Sequence, residues 1–121
     1  VIDKNLKLSE KLILFNNESK TIIFNTLKTK YIDSNYYIKT DFNNLIKNIL
    51  QELYKQNIHS LTIEGGAKTL QSFIDKKLWD EARVFTADKK LKDGVKAPII
   101  EGKILSAINI DTDFLKIIVN D

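Results

Sequence analysis

Leu61-Thr62-Ile63-Glu64-Gly65-Gly66-Ala67-Lys68-Thr69-Leu70 is the stretch on which the fold turns. Ser60 to Glu64 is short, apolar and β-branched, the composition of a buried strand. Gly65 and Gly66 follow at once, and Ala67 to Lys77 then carries Leu70, Phe73 and Ile74 at helical spacing. The first turn of such a helix has backbone N–H groups without partners and the positive end of the helix dipole. Gly65 and Gly66 lack side chains, so a diphosphate can approach those amides closely; Lys68 and Thr69 add an ammonium and a hydroxyl. A tight turn with no ligand is the alternative that two glycines leave open. The pattern is not G-x-G-x-x-G and lacks the G-K-[ST] of a P-loop, so neither the dinucleotide fold with that fingerprint nor an NTPase is supported. Two roles are open to Glu64. It can face a polar ligand at the C-terminal end of a parallel strand, or cap the amides of the following helix.

Outward from this junction the pattern alternates. Thr21-Ile22-Ile23-Phe24-Asn25 predicts a buried strand and Tyr36-Tyr37-Ile38 a shorter one. From Phe42 to Gln56, Leu45, Ile46, Ile49, Leu50, Leu53 and Tyr54 recur at steps of three and four, one apolar stripe on a helix. Asp41 is placed to cap its first turn and Asn57 to take a left-handed conformation at its end. Ala82 to Thr86 predicts a further strand. Strand, helix, strand, helix, strand is the order of right-handed crossovers in a parallel sheet. Leu105 to Ile110 and Phe114 to Val119, joined by Asp111-Thr112-Asp113, predict an antiparallel hairpin, with Lys89 to Gly102 a polar loop before it. The expected class is α/β, one continuous unit with a mostly parallel sheet, flanking helices and an antiparallel C-terminal hairpin. Val1 to Asp3 is expected to be the tail of a strand. The apolar run Phe114 to Val119, read as a sheet edge that needs cover, predicts a homodimer.

Composition narrows the function. The chain has 121 residues, 43% hydrophobic and 29% charged, which are ordinary globular values. No apolar run is long enough for a membrane span. There is no cysteine and one histidine, His59, so no Cys/His zinc site or thiolate chemistry is expected. The net charge of +3 comes from scattered residues, 18 lysines and the single Arg83, and not from clustered arginines, so no nucleic-acid partner is expected. Tyr31, Tyr36 and Tyr37 near lysines do not single out a stacking face. His59 suits a helix C-terminus, where a cation favours the dipole. Trp79 is expected to pack at a helix-to-strand junction or a subunit contact, and Asp80-Glu81 to open a strand.

Ile63-Glu64-Gly65-Gly66-Ala67, followed by Phe73-Ile74 and by Leu78-Trp79-Asp80-Glu81-Ala82-Arg83-Val84, resembles the C-terminal reductase domain of the bifunctional riboflavin-biosynthesis deaminase/reductase, RibD. Gly94-Val95-Lys96-Ala97-Pro98 resembles the loop after that domain's next strand. Val1-Ile2-Asp3 and Thr21 to Asn25 resemble two of its earlier strands, so the resemblance covers nearly all of the chain. It implies a dihydrofolate-reductase-like fold, a cytoplasmic dimer, and an NADPH-dependent enzyme. The implied reaction reduces the ribosyl group of 5-amino-6-(5-phosphoribosylamino)uracil to ribityl. It also implies that Glu64 contacts substrate and that Gly66, Ala67, Lys68, Thr69 and Leu70 lie along NADPH. Lys4, after the aspartate of the opening strand, is implied as a further cofactor contact, though relatives often carry a small hydroxyl residue there. No residue is singled out as a general acid, because hydride transfer is the cofactor's chemistry.

Two departures from the family stand out. Its first strand and loop, which help hold substrate and nicotinamide, have no counterpart here, and neither has its zinc deaminase domain. The chain, which opens on Val1 and not on Met, is therefore expected to be the C-terminal part of one reductase domain. It is expected to be fused upstream to a deaminase and inactive by itself. The rival readings are another NADPH-dependent reductase of the same fold and a non-catalytic α/β interaction module.

Overall fold

The structure, a computed structural model, describes residues 1–120. It falls into two units, Val1–Leu61 and the stretch from Thr62 onward.

The first unit is built on β1 (Thr21–Asn25), β2 (Lys30–Ile32), β3 (Asn35–Lys39) and the helix α1 (Leu45–Lys55). β3 lies between the other two, parallel to β1 and antiparallel to β2. Ile2 makes a parallel bridge to Phe24, so the opening residues do continue a strand pattern beside β1. Phe42–Asn44 is a tight 3-10 turn, and the Asp41 carboxylate accepts the Asn43 N–H at 2.9 Å. Most of the stripe expected of α1 points inward, with Ile46, Ile49 and Leu53 buried, but Tyr54 at its end is 69% exposed. Phe24, Ile49 and Leu53 form the core, flanked by Ile22, Ile38 and Leu45. The helix ends as its sequence predicts. Asn57 turns left-handed (φ 58°), while the Asn57 and Ile58 N–H groups bond back to the Tyr54 and Leu53 carbonyls.

The second unit holds α2 (Ala67–Asp75), β4 (Glu81–Ala87), β5 (Lys103–Ile110) and β6 (Asp113–Val119). β6 is the middle strand, antiparallel to both neighbours. Its Leu115 and Ile118 are buried, as is Phe73 of α2. Lys77 takes the left-handed position that closes α2 (φ 53°), two residues beyond the helix. Arg83 Nε lies 2.9 Å from Glu81 Oε1 at the start of β4, the structural setting expected of Glu81. Among the described residues no helix is long and apolar enough to cross a membrane.

Several expectations are corrected. The α/β class holds, with both helices and sheets present, but the pairing is not mostly parallel. Among the described residues, only β1/β3 and the Ile2 bridge are parallel, and the other three pairings are antiparallel. Ser60 to Glu64 has a strand's composition yet joins no ladder, and Leu61 and Glu64 are exposed. A strand needs a neighbour as well as a propensity. β2 was not foreseen, since it has three residues, all exposed, and is recognisable only by the Asp33-Ser34 turn after it. The C-terminal hairpin is present, but Asp113 pairs with Ile110, which leaves a two-residue turn with Asp111 left-handed (φ 52°). Phe114 to Val119 is the centre of its sheet and not an edge, so the edge argument for a dimer falls away.

The glycine at 102 is dictated by packing. A Cβ on Gly102 would stand 2.3 Å from the Val119 carbonyl oxygen and 3.1 Å from the Trp79 ring. Backbone cannot yield as a flexible side chain can. Gly102→Ala is therefore expected to destabilise the protein by about 1–3 kcal/mol in urea unfolding, the usual range for forced overpacking; unchanged stability would mean that β6 and Trp79 are not held in this arrangement.

Candidate functional site

The head of α2 is shaped by its two glycines in different ways. Gly65 is required by the fold: a Cβ there would lie 2.9 Å from the Thr69 Cβ and 3.0 Å from its methyl. The Thr69 Cβ is fixed by the helix backbone, so no rotation of its side chain relieves that clash. Gly66 is the N-cap, with φ −63° and ψ 165°, a conformation open to any residue. A Cβ on it would meet nothing within 4 Å. Among the described residues no packing contact calls for glycine at 66.

The Gly66 carbonyl accepts the N–H groups of Thr69 (2.9 Å) and Leu70 (3.2 Å), so the first turn closes tightly. Gly66 offers no side-chain cap, and the N–H groups of Ala67 and Lys68 have no acceptor among the described residues. Lys68 is exposed, whereas Ala67, Thr69 and Leu70 are half-buried. Glu64 is exposed and makes no hydrogen bond or ion pair among the described residues. The capping role open to it on sequence grounds is thus not used. Two free amides at the positive end of a helix dipole, with open space in front of a glycine, can receive an anionic group.

Within this helix Ser72 Oγ donates to the Lys68 carbonyl one turn back, at 2.8 Å. A longer-range contact, invisible in the sequence, holds the helix in place. Gln71 pairs with both backbone groups of Ile99: it accepts the Ile99 N–H at 2.8 Å and donates to the Ile99 carbonyl at 3.2 Å. That pins the polar loop before β5 onto α2. No local signal marks Gln71, because its partner lies 28 residues away.

Lys4 belongs to the first unit. Its ammonium lies 5.7 Å from the Phe42 ring centroid, and its carbonyl accepts both the N–H (3.0 Å) and the hydroxyl (2.9 Å) of Thr26. The seven other candidate residues, Glu64 to Leu70, are continuous in the second unit. His59 stacks edge-on against Tyr54, with ring centroids 5.7 Å apart.

Residues 1–111 match the RibD C-terminal domain family. The chain belongs to that family. The resemblance carried by Ile63 to Val84 and by Gly94 to Pro98 is thereby borne out. Over 53 residues the chain is 42% identical to the riboflavin biosynthesis protein RibD of Haemophilus influenzae, a stretch covering 44% of this chain and 14% of that protein. Over 50 residues it is 40% identical to the RibD of Aquifex aeolicus, covering 41% and 14%. Solved structures share the fold. RibD of Acinetobacter baumannii superposes with a TM-score of 0.76 at 20% identity, over 98% of this chain and 36% of that one. The diaminohydroxyphosphoribosylaminopyrimidine deaminase/5-amino-6-(5-phosphoribosylamino)uracil reductase of Thermotoga maritima gives 0.78 at 22%, with the same coverage. The chain therefore spans about a third of these solved RibD proteins.

The two glycines separate experimentally. Gly65→Ala is expected to cost about 1–2 kcal/mol through its clash with Thr69, whereas Gly66→Ala, in open space, should stay within about 0.5 kcal/mol of the parent. Chemical denaturation of both variants checks this; equal losses would contradict the geometry at the helix start.

Proposed function

We propose that this chain is the reductase part of a RibD enzyme, of dihydrofolate-reductase-like fold. Its reaction is the NADPH-dependent reduction of 5-amino-6-(5-phosphoribosylamino)uracil, ribosyl to ribityl. The observation that carries the reading is Gly66, a glycine the fold does not need, at the head of a helix with two unclaimed amides, in a chain of the RibD C-terminal family. Bound NADPH supplies the hydride. The chain's residues bind and orient. Gly65 sets the first turn, and Gly66 leaves its amides open to the diphosphate. Ala67, Lys68, Thr69 and Leu70 would hold the cofactor, and the exposed Lys68 ammonium would offset its phosphate charge. Lys4 is a further cofactor contact on the strength of the family resemblance. Glu64, whose carboxylate is unengaged, accepts hydrogen bonds from the polar substrate.

The same reading makes the chain the C-terminal part of a reductase domain in a cytoplasmic homodimeric protein that also carries a deaminase. Dimerisation now rests on the family resemblance alone.

Two substitutions in the complete protein test the assignment. Gly66→Val should raise the NADPH Kd tenfold or more, a loss of roughly 1.4 kcal/mol or greater, without unfolding the protein. Glu64→Gln should lower kcat/KM by about tenfold, as expected for a lost charge-assisted hydrogen bond, and leave the NADPH Kd unchanged. An unaltered Kd in folded Gly66→Val would remove the diphosphate site. A fall in NADPH affinity without a change in substrate kinetics would reassign Glu64. A complete protein that does not bind NADPH would leave a non-catalytic module as the better reading.

A further inference from the structure

Asn25, the last residue of β1, has no exposed surface at all. A buried carboxamide is costly unless its polar atoms are satisfied. Here Oδ1 accepts the N–H groups of Leu27 and Lys28, both at 2.8 Å, and Nδ2 donates to the carbonyls of Lys28 (3.0 Å) and Ile23 (3.3 Å). Its backbone carbonyl accepts the Thr40 N–H at 2.7 Å. The side-chain bonds to Leu27 and Lys28 wind the chain into a turn directly after β1, while the Asn25 carbonyl ties the end of β1 to the residue after β3.

Thr26 is the residue this turn aims. Its N–H and hydroxyl converge on one acceptor, the Lys4 carbonyl. From Lys4 the chain enters a loop with a feature that leucine rarely tolerates: Leu6 is left-handed, φ 51°. The loop's far end is also tied. The Asp3 carboxylate accepts the N–H groups of Lys7 (3.0 Å) and Leu8 (2.9 Å), and the Asp3 carbonyl accepts that of Leu6 (3.2 Å). A short exposed loop is thus braced by Thr26 where it begins and by Asp3 where it ends. It sits at the carboxyl end of β1, which runs parallel to β3, the end of a parallel pair at which α/β proteins bind ligands.

We propose that Thr26, aimed by the buried Asn25, is a positioning residue that fixes the Lys4–Leu8 loop for cofactor binding. The cofactor half of this rests on the reading of Lys4 given above. The positioning half stands on the hydrogen bonds alone.

The test uses Thr26→Val, Thr26→Ser, Lys4→Ala and the Thr26→Val/Lys4→Ala pair in the complete protein. Valine keeps the shape and β-branching of threonine and removes only the hydroxyl. Thr26→Val should speed amide exchange at Leu6 to Leu8 and raise the NADPH Kd about fivefold, the size expected for one neutral hydrogen bond. Thr26→Ser should restore both. The double variant should bind NADPH no more weakly than Lys4→Ala, because the two changes act through one contact. Unchanged exchange in Thr26→Val would overturn the positioning role, and additive losses in the double variant would overturn its action through Lys4. Faster exchange with NADPH affinity unchanged in both single variants would uphold Thr26 as the loop's brace and overturn Lys4 as a cofactor contact.

Discussion

A Cβ on Gly65 would stand 2.9 Å from the Thr69 Cβ, and that close approach is the tightest constraint on the start of α2. With Thr69 pressed against Gly65, the Gly66 carbonyl gathers the N–H groups of Thr69 and Leu70, and the helix begins without a capping side chain. A Ser, Thr or Asp at the N-cap would have claimed one of the free amides for itself. Glycine at that position forgoes this local stabilisation and leaves Ala67 and Lys68 available. Under the proposed function these two amides are the ones offered to an anionic group.

The rest of the second unit keeps this helix in place. Phe73 anchors its buried face, Lys77 closes its end, and Gln71 ties it to Ile99. The sheet is organised by β6, whose buried Leu115 and Ile118 sit between two antiparallel neighbours. In the first unit the corresponding constraint is the Phe24, Ile49 and Leu53 core, which sets α1 against β1. Asn25 then converts the end of that buried strand into an ordered turn.

Features fixed by a few neighbouring residues were legible in the sequence. The sequence shows β1 with its true limits, α1 by most of its stripe and by Asp41 and Asn57, α2 by its glycines, and the final hairpin by its two apolar runs. The family, too, was legible, because Ile63 to Val84 carries it. What could not be read is what depends on distant partners. Ser60 to Glu64 looks like a strand but pairs with none. Phe114 to Val119 suggests an edge because its apolar content is visible in the sequence and its two neighbours are not. Lys77 carries no sign that it will turn left-handed. The pairing of Gln71 with Ile99 and of Thr26 with Lys4 depends on the fold being complete.

The central claim is that the unclaimed amides at the head of α2 receive the cofactor's diphosphate. Amide chemical shifts followed during an NADPH titration test it most directly. The account predicts that the Ala67 and Lys68 N–H signals move saturably, with a midpoint equal to the Kd measured by an independent method. Saturable NADPH binding that leaves both signals in place would contradict it.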